Sequence, residues 1–227
     1  MKVYGRNVFN ELKEDVKSIK KVYLADGFND KEIVDFIKNN KISYSYANNK
    51  VLDKMVQGKH QGIVIVTNDY EYSDYKDMFD DKFVVILDHL EDPHNLGAIV
   101  RTCEAAGIKS VIIPKDRSVG VTSVVMKTSA GAIERVNIAM VNNLTKVIED
   151  FKKHGFFVYG ADMNGKNYKM IDFADKVVLV MGNEGKGISR IVRESLDEVV
   201  SIPQYGKINS LNVSVATGII IYGILNR

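Results

Sequence analysis

The sequence predicts an α/β protein with a small N-terminal domain and a larger C-terminal domain. Short runs of β-branched and aromatic residues alternate along the chain with segments whose apolar residues repeat at helical spacing. An acidic stretch, DYEYSDYKDMFDDK at 69–82, separates two segments that each carry this pattern. Strands that alternate with helices of this length are typical of a mainly parallel sheet covered on both faces.

The first segment, 1–68, predicts a small α/β domain. Strands are predicted at 21–25, 42–46 and 63–67. Two helix faces are predicted between them, Ile33, Val34, Ile37 and Val51, Leu52, Met55. This segment carries 12 Lys and Arg against 8 Asp and Glu, whereas 69–82 carries 2 against 6. We therefore interpret 69–82 as an acidic linker or a connecting helix.

The second segment, 83–227, predicts six strands, at 83–87, 110–113, 137–140, 156–160, 177–181 and 199–202. The clearest amphipathic helix between them has the apolar face Leu144, Val147, Ile148, Phe151. Ligands of such sheets bind at the loops beyond the carboxyl ends of the strands. These loops are therefore the places to look for chemistry.

Composition limits the class of protein. With 227 residues, 45% of them apolar, the chain can bury one large core or two modest ones. Its longest apolar runs are too short for a bilayer, and its first residues lack the apolar core of a signal peptide, so we expect a cytoplasmic protein with no membrane segment. The single cysteine, Cys103, excludes an internal disulfide and a cysteine-based zinc site, and we interpret it as a buried apolar residue.

The first loop of interest, DHLEDPHNLGAIVRTCEAAG at 88–107, follows an apolar strand and continues as a helix. On the face opposite its apolar residues, Arg101 falls near Gly97, Ala98 and Ala105, which are too small to cover surface. A ligand or another chain can approach closely there. The alternative is a solvated arginine on an alanine-rich helix.

The second loop, VVLVMGNEGKGISR at 177–190, places three glycines between a strand and a helix. Glycine permits positive φ and close approach of the backbone to a ligand. The loop lacks the Ser or Thr of a P-loop and the glycine order of a dinucleotide fingerprint, and Glu184 would repel a phosphate. Alternatively, the glycines only shape a tight connection.

The third loop, IPQYGKINSLNVSVATG at 202–218, leads into the last helix, which Ser210 is predicted to cap. Apolar residues surround that helix on all sides, which indicates burial on more than one side. One way to achieve this in a last helix is to pack on its own sheet and on a second subunit.

Together, the three loops resemble motifs 1, 2 and 3 of the SpoU-type RNA 2′-O-ribose methyltransferases, the TrmH-like enzymes of the SPOUT superfamily. The matching stretches are NLGAIVR, MGNEGKG and IPQYGKINSLNVSVA, in the family's order. VYGRNVFNEL and KVYLADG are similar to the small substrate-binding domain of the ribosomal-RNA members, so the resemblance covers essentially the whole chain.

The resemblance implies an RNA substrate-binding domain at 1–68, the acidic linker at 69–82, and a methyltransferase domain at 83–227 with a C-terminal trefoil knot, an exception to the rule against threaded chains. It also implies a homodimer that uses S-adenosyl-L-methionine and needs no metal. The implied cofactor residues are Gly182, Ile202, Leu211 and, more weakly, Ala161; the implied catalytic residues are Arg101, Asn95, Glu184, Ser210 and Asn212.

Two roles for Arg101 stay open. We favour a ligand of the RNA phosphate and the 2′-oxygen, because a guanidinium scarcely deprotonates in proteins. Direct base catalysis by Arg101 comes second. By analogy with the family, the expected substrate is ribosomal RNA, at a guanosine of the large subunit. A transfer-RNA 2′-O-methyltransferase is the nearest alternative, and a non-catalytic RNA-binding module is the alternative from another class.

Overall fold

The computed structural model describes residues 1–56, 58–207 and 210–226. The chain forms two units, Met1–Glu71 and Tyr72–Arg227. Within the described ranges, no helix has both the length and the apolar character that a bilayer span requires.

The first unit is built on a mixed four-stranded sheet. Its strands are β1 (Lys2–Tyr4), β2 (Ile19–Ala25), β3 (Tyr44–Ala47) and β4 (Ile63–Thr67), and its helices are α1 (Arg6–Leu12), α2 (Lys31–Asn39) and α3 (Asn49–Met55). The strand order is β1-β4-β2-β3, with β2 parallel to β3 and β4 antiparallel to both of its neighbours.

The predicted elements of this unit are present with shifted ends. Strand β4 matches its prediction, β2 begins two residues early at Ile19, and β3 begins two residues late at Tyr44. Strand β1 was not predicted, because three residues carry too little periodicity. On α3 the predicted apolar face is partly wrong: Leu52 is fully buried, but Val51 is exposed.

The second unit is built on a six-stranded sheet in which every pairing is parallel, in the order β10-β8-β9-β5-β6-β7. The strands are β5 (Phe83–Leu87), β6 (Ser110–Pro114), β7 (Asn137–Val141), β8 (Phe157–Asn167), β9 (Val177–Met181) and β10 (Glu198–Ser201). The predicted parallel sheet is confirmed, and β6 and β9 are buried along their whole length, as central parallel strands are.

Among the described residues of this unit, the α-helices are α4 (Pro93–Ala105), α5 (Ser123–Ser129), α6 (Leu144–Lys153), α7 (Arg190–Glu194) and α8 (Val213–Leu225). The sequence explains why helix α4 begins at Pro93. Asp92 caps the helix by accepting a hydrogen bond from His94 N, and proline is favoured in the first turn. The apolar face of α6 packs into the core against β5, β8 and β9. Helix α4 packs against α5 and α8.

Strand β8 extends seven residues beyond its predicted end. Strand β10 pairs first with Tyr159 and Gly160 and then, after a shift in register between Val199 and Val200, with Lys166 and Asn167 in the far half of β8. Gly165 allows this close approach, because a Cβ there would lie 2.6 Å from Val199 O. The prediction missed this extension because residues 161–167 are mostly polar and do not form an apolar run.

The acidic stretch does not form a free linker. From Tyr72 onward it belongs to the second unit, where the Tyr72 hydroxyl accepts from Val121 N at 2.9 Å. Met78 is fully buried, and the Phe79 ring packs edge-on against Phe151 with centroids 5.0 Å apart. These apolar side chains lie between the acidic residues, so the net charge concealed their contribution to the core.

The last helix begins three residues later than Ser210, and the prediction that Ser210 caps it is wrong. Asn212 is the cap: its Oδ1 accepts from Ser214 N at 2.9 Å and from Val215 N at 3.4 Å. One face of α8 is buried in its own chain, but Val215, Tyr222 and Leu225 stay 45–50% exposed. The predicted second subunit and the predicted knot stay predictions.

Candidate active site

A cavity of about 420 Å³ opens beyond the carboxyl ends of β9 and β10, beside the far half of β8 and the start of α8. Its wall on the side of α8 is apolar and includes Val213 and Ile220. Six of the nine predicted site residues line this cavity: Ala161, Gly182, Glu184, Ile202, Ser210 and Leu211. The second and third loops therefore meet in space although residues 191–201 separate them in the chain.

The glycine-rich loop between β9 and α7 is held by its own asparagine. Asn183 and Gly187 exchange backbone hydrogen bonds of 3.1 and 2.8 Å, and Asn183 Oδ1 accepts from the N–H groups of Gly185 and Lys186. Gly187 has φ +66°, which favours glycine. The sequence alone did not single out Asn183, although asparagine is a common residue for such turns.

Gly182 is required by the loop itself. A Cβ at this position would lie 2.2 Å from Gly187 C and 2.3 Å from Ile188 N, which are backbone atoms of the returning loop. The expectation that glycine is needed here for the ligand to approach is thus incomplete. Any side chain at residue 182 displaces the loop that lines the cavity.

A chain of hydrogen bonds joins all three loops. Asn95, 8% exposed in the first turn of α4, donates through Nδ2 to Glu184 Oε1. Its Oδ1 accepts from Asn212 Nδ2 at 3.0 Å. Asn212 in turn caps α8 and accepts from the hydroxyl of Ser214 at 2.6 Å. The network thus ties the first turns of α4 and α8 to the glycine loop. Its carboxylate, Glu184, lies near the N-terminus of α4, where a negative charge is electrostatically favourable.

Arg101 is not part of this network. It lies two turns after His94 on the outer face of α4, it is exposed, and its side chain makes no hydrogen bond or ion pair within the described ranges. It does not line the cavity. Within this chain, therefore, the structure does not bring Arg101 to the other predicted site residues.

One of the small residues near Arg101, Gly97, has a partner within the chain. Gly97 faces α5, and a Cβ at Gly97 would lie 2.6 Å from the Thr128 Cβ and 3.0 Å from Val125 O. The close approach that was expected from a ligand or another chain is made at Gly97 by α5. Ala98 and Ala105 remain on the outer face beside Arg101.

The model of the SpoU rRNA Methylase family matches residues 82–222. The chain belongs to this family. A second model, described as RNA 2′-O ribose methyltransferase substrate binding, matches residues 2–73. The family resemblance inferred from the three motifs is confirmed.

Relatives that match almost the whole chain carry methyltransferase names. Two proteins named as TrmH-family tRNA/rRNA methyltransferases, YacO of Bacillus subtilis and one from Staphylococcus haemolyticus, are each 37% identical over 236 aligned positions. Both alignments cover 99% of this chain and 95% of the relative.

Two solved structures resemble this SpoU-family chain to different extents. An AdoMet-bound rRNA methyltransferase from Sinorhizobium meliloti matches with a TM-score of 0.75 at 25% identity and covers 99% of this chain and 86% of its own. A TrmH/SpoU tRNA modifying enzyme from A. aeolicus matches with a TM-score of 0.59 at 32% identity and covers 65% of this chain and 75% of its own. An N-terminal substrate-binding domain and a C-terminal SpoU domain thus make up the α/β fold.

Asp162 is a charged group in the SpoU-domain cavity that the sequence did not reveal. Its Oδ2 accepts from Arg193 Nη1 at 2.6 Å, and its Oδ1 accepts from Asn164 N at 3.0 Å. Burial alone would raise the pKa of Asp162, but the Asn164 N–H and the Arg193 guanidinium outweigh it and hold that pKa below its ordinary value. The cavity therefore contains an ionised carboxylate at neutral pH.

The described residues contain no group of three or more His, Cys, Asp and Glu side chains placed to hold a metal ion. Cys103 is fully buried in α4, and burial raises the pKa of its thiol to about 12. Its interpretation as an apolar core residue is confirmed.

Proposed function

We propose that this protein transfers a methyl group from S-adenosylmethionine to the 2′-hydroxyl of a ribose in RNA, with S-adenosylhomocysteine as the leaving group and release of the hydroxyl proton to water. Membership of the SpoU family and the match to the RNA 2′-O ribose methyltransferase substrate-binding model support the reaction class. The observation that carries the proposal is the hydrogen-bonded chain Glu184–Asn95–Asn212, which reaches the cavity through Glu184 and links all three motifs.

The cavity fits the cofactor, S-adenosylmethionine, which supplies an electrophilic methyl group on a sulfonium. Its volume lies in the range of small-molecule sites. Ile202 and Leu211 offer apolar contact suited to an adenine ring, the glycine loop after Gly182 offers backbone polar groups, and Ala161 borders the same space. The ionised Asp162 suits a ligand that carries positive charge.

The network residues have positioning and binding roles in this proposal. Asn95 bonds Glu184 on one side and Asn212 on the other. These bonds fix the glycine loop relative to the N-terminal ends of α4 and α8. Ser210, which is exposed and lines the cavity without capping α8, is free to contact the RNA. Alignment of the hydroxyl in such a fixed frame lowers the barrier to displacement.

Arg101 binds the RNA phosphate and the 2′-oxygen, and we assign it to the site of a second subunit. Its exposure and its absence from the cavity of its own chain support this assignment, as does the uncovered apolar face of α8. A guanidinium at the 2′-oxygen stabilises the charge that develops when the hydroxyl loses its proton.

Mixed dimers test the shared site. Subunits with Arg101→Ala are combined with subunits whose cofactor loop is broken by Gly182→Ala, and methyl transfer to RNA is measured. Activity recovered in the mixture above that of either parent is the expected result. If the mixture is as inactive as its parents while both variants dimerise, the arginine and the cofactor come from the same chain.

Ribosomal RNA is the proposed substrate, specifically a guanosine of the large subunit. The neighbour named as an rRNA methyltransferase matches 99% of this chain, including its N-terminal unit, whereas the neighbour named as a tRNA modifying enzyme matches 65%. Mass-spectrometric mapping of 2′-O-methyl groups in RNA from cells with and without the protein tests this. Loss of a methyl group from transfer RNA alone would favour the tRNA alternative.

Cofactor binding separates the enzyme from the non-catalytic alternative. Calorimetry with purified protein is expected to show binding of S-adenosylmethionine. If RNA binds but the cofactor does not, the chain is an RNA-binding module that has kept the fold.

A further inference from the structure

Asp88 is a fully buried carboxylate that has no role in the reaction described above. It follows β5 directly, and its side chain is 0% exposed. Its Oδ2 accepts from Ser189 N at 2.7 Å. Its Oδ1 is buried without a hydrogen bond and has the imidazole Nδ1 of His89 as an ion-pair neighbour. A buried carboxylate is costly unless it is paired, so its presence calls for a specific use.

Asp88 and His89 hold the glycine loop at both of its ends. At the start of the loop, Asp88 N donates to Met181 O at 2.7 Å, and Asn183 Nδ2 donates to His89 O at 3.0 Å. At its end, Ser189 N donates to the Asp88 carboxylate. The segment between these attachments is the one that lines the cavity.

The backbone at this point is strained. His89 has φ +58°, in the left-handed region that few residues other than glycine adopt, although histidine is enriched there together with asparagine and aspartate. In this conformation its carbonyl meets the Asn183 side chain while its ring lies beside Asp88. Such strain persists only where the surrounding contacts hold it in place.

We propose that Asp88 is a positioning residue that keeps the 182–188 loop in the conformation that binds the cofactor. This inference rests on the proposed function, because it assigns the cofactor to that loop. Asp88 does not line the cavity and so acts through the Ser189 N–H and the loop. Without the carboxylate, the loop spends part of its time in other conformations. The apparent Kd for the cofactor then rises, because it equals the intrinsic Kd divided by the fraction of molecules whose loop is in the binding conformation.

The test compares variants of the full chain by calorimetry with S-adenosylmethionine. Asp88→Ala removes the acceptor, and we expect affinity to fall about tenfold or more. Asp88→Asn keeps a carbonyl oxygen for Ser189 N and gains an N–H₂ that can donate to His89, so we expect its affinity within about threefold of wild type. Rescue by asparagine distinguishes a positioning hydrogen bond from the carboxylate's charge.

A reciprocal variant removes the donor in place of the acceptor. Ser189 has φ −59°, an angle that proline adopts. Ser189→Pro therefore deletes the N–H, and its ring carbon, which takes the direction of that N–H, also pushes the Asp88 carboxylate away from the loop. We expect the same loss of affinity. This variant also decides the question if Asp88→Ala does not fold.

Ser110→Ala is the matched control. Ser110 is also a fully buried polar residue, but it lies at the amino end of β6 and donates to Asp81. Its loss is expected to lower the melting temperature without changing cofactor affinity. A role for Asp88 limited to overall stability predicts the same behaviour for Asp88→Ala.

Hydrogen exchange gives a readout that needs no ligand. We expect faster amide exchange across residues 183–188 in Asp88→Ala and Ser189→Pro, and wild-type exchange in Asp88→Asn and Ser110→Ala. Unchanged loop exchange and unchanged affinity in the first two variants would overturn the inference. If wild-type protein does not bind S-adenosylmethionine, the proposed function fails, and loop exchange still decides whether Asp88 positions the loop.

Discussion

Replacement of Asn95 by Asp puts a second carboxylate against Glu184 without a change in side-chain size. In the wild-type protein Asn95 Nδ2 donates to Glu184 Oε1, while Asn95 Oδ1 accepts from Asn212. In Asn95→Asp the bond from Asn212 survives, but the contact with Glu184 joins two acceptors. We therefore expect a loss of stability at neutral pH.

The size of the loss follows from two contributions. A hydrogen bond to a charged group stabilises a protein by about 1.5–3 kcal/mol. Two carboxylates about 3 Å apart repel by about 1–3 kcal/mol at an effective dielectric constant between about 40 and 80. Glu184 is exposed and can turn away, so the lower part of the repulsion applies. The expected loss in the free energy of unfolding is about 2–4 kcal/mol.

The loss depends on pH. Two adjacent carboxylates resist ionising together, so one of them has a pKa in the folded variant above its value in the unfolded chain. The destabilisation is then complete above the folded-state pKa and disappears as the pH falls below the unfolded-state pKa, which is about 4. At that pH a shared proton also restores a hydrogen bond between residues 95 and 184.

Urea unfolding followed by circular dichroism, at about pH 8 and about pH 4.5, measures this difference. The control is Asn143→Asp, the same substitution at the N-cap of α6, where Oδ1 accepts from Lys146 N at 3.1 Å. Aspartate caps helices as well as asparagine does, so the control should match wild type. Wild-type stability of Asn95→Asp at neutral pH, or a loss independent of pH, would show that Asn95 and Glu184 are not paired in solution.

Gly182→Ala should lower the melting temperature and abolish binding of S-adenosylmethionine together, because its Cβ meets the Gly187 backbone at 2.2 Å; a variant with wild-type values of both would contradict this crowding. Arg101→Ala should keep stability and cofactor affinity while methyl transfer falls by about two to four orders of magnitude, and Arg101→Lys should also be poor because it lacks the planar fork. Full activity of Arg101→Ala would exclude a catalytic role. Cys103 should resist alkylation at about pH 8 in the folded protein and react after denaturation, since burial raises its pKa to about 12; rapid native labelling would show that α4 opens.

Much of the fold was predictable because it depends on neighbours in sequence. Strands β5, β6, β7 and β9 carry continuous apolar runs, and these were predicted to within one residue. The family followed from the three motifs, since residues such as Asn95, Glu184 and Asn212 stand at fixed places within short stretches. The sequence also placed these residues in loops beyond strands, where parallel sheets bind ligands.

The tertiary structure decided what each of these residues contacts. Asn95 meets Glu184 and Asn212 across 89 and 117 positions of the chain, and no local pattern encodes that pairing. The crowding at Gly182 arises from a loop that returns on itself, and the burial of Asp88 arises from the approach of Ser189. The physical reason is that periodicity reports which side of an element faces the core, whereas hydrogen-bond partners depend on the distance between elements that only the folded chain brings together.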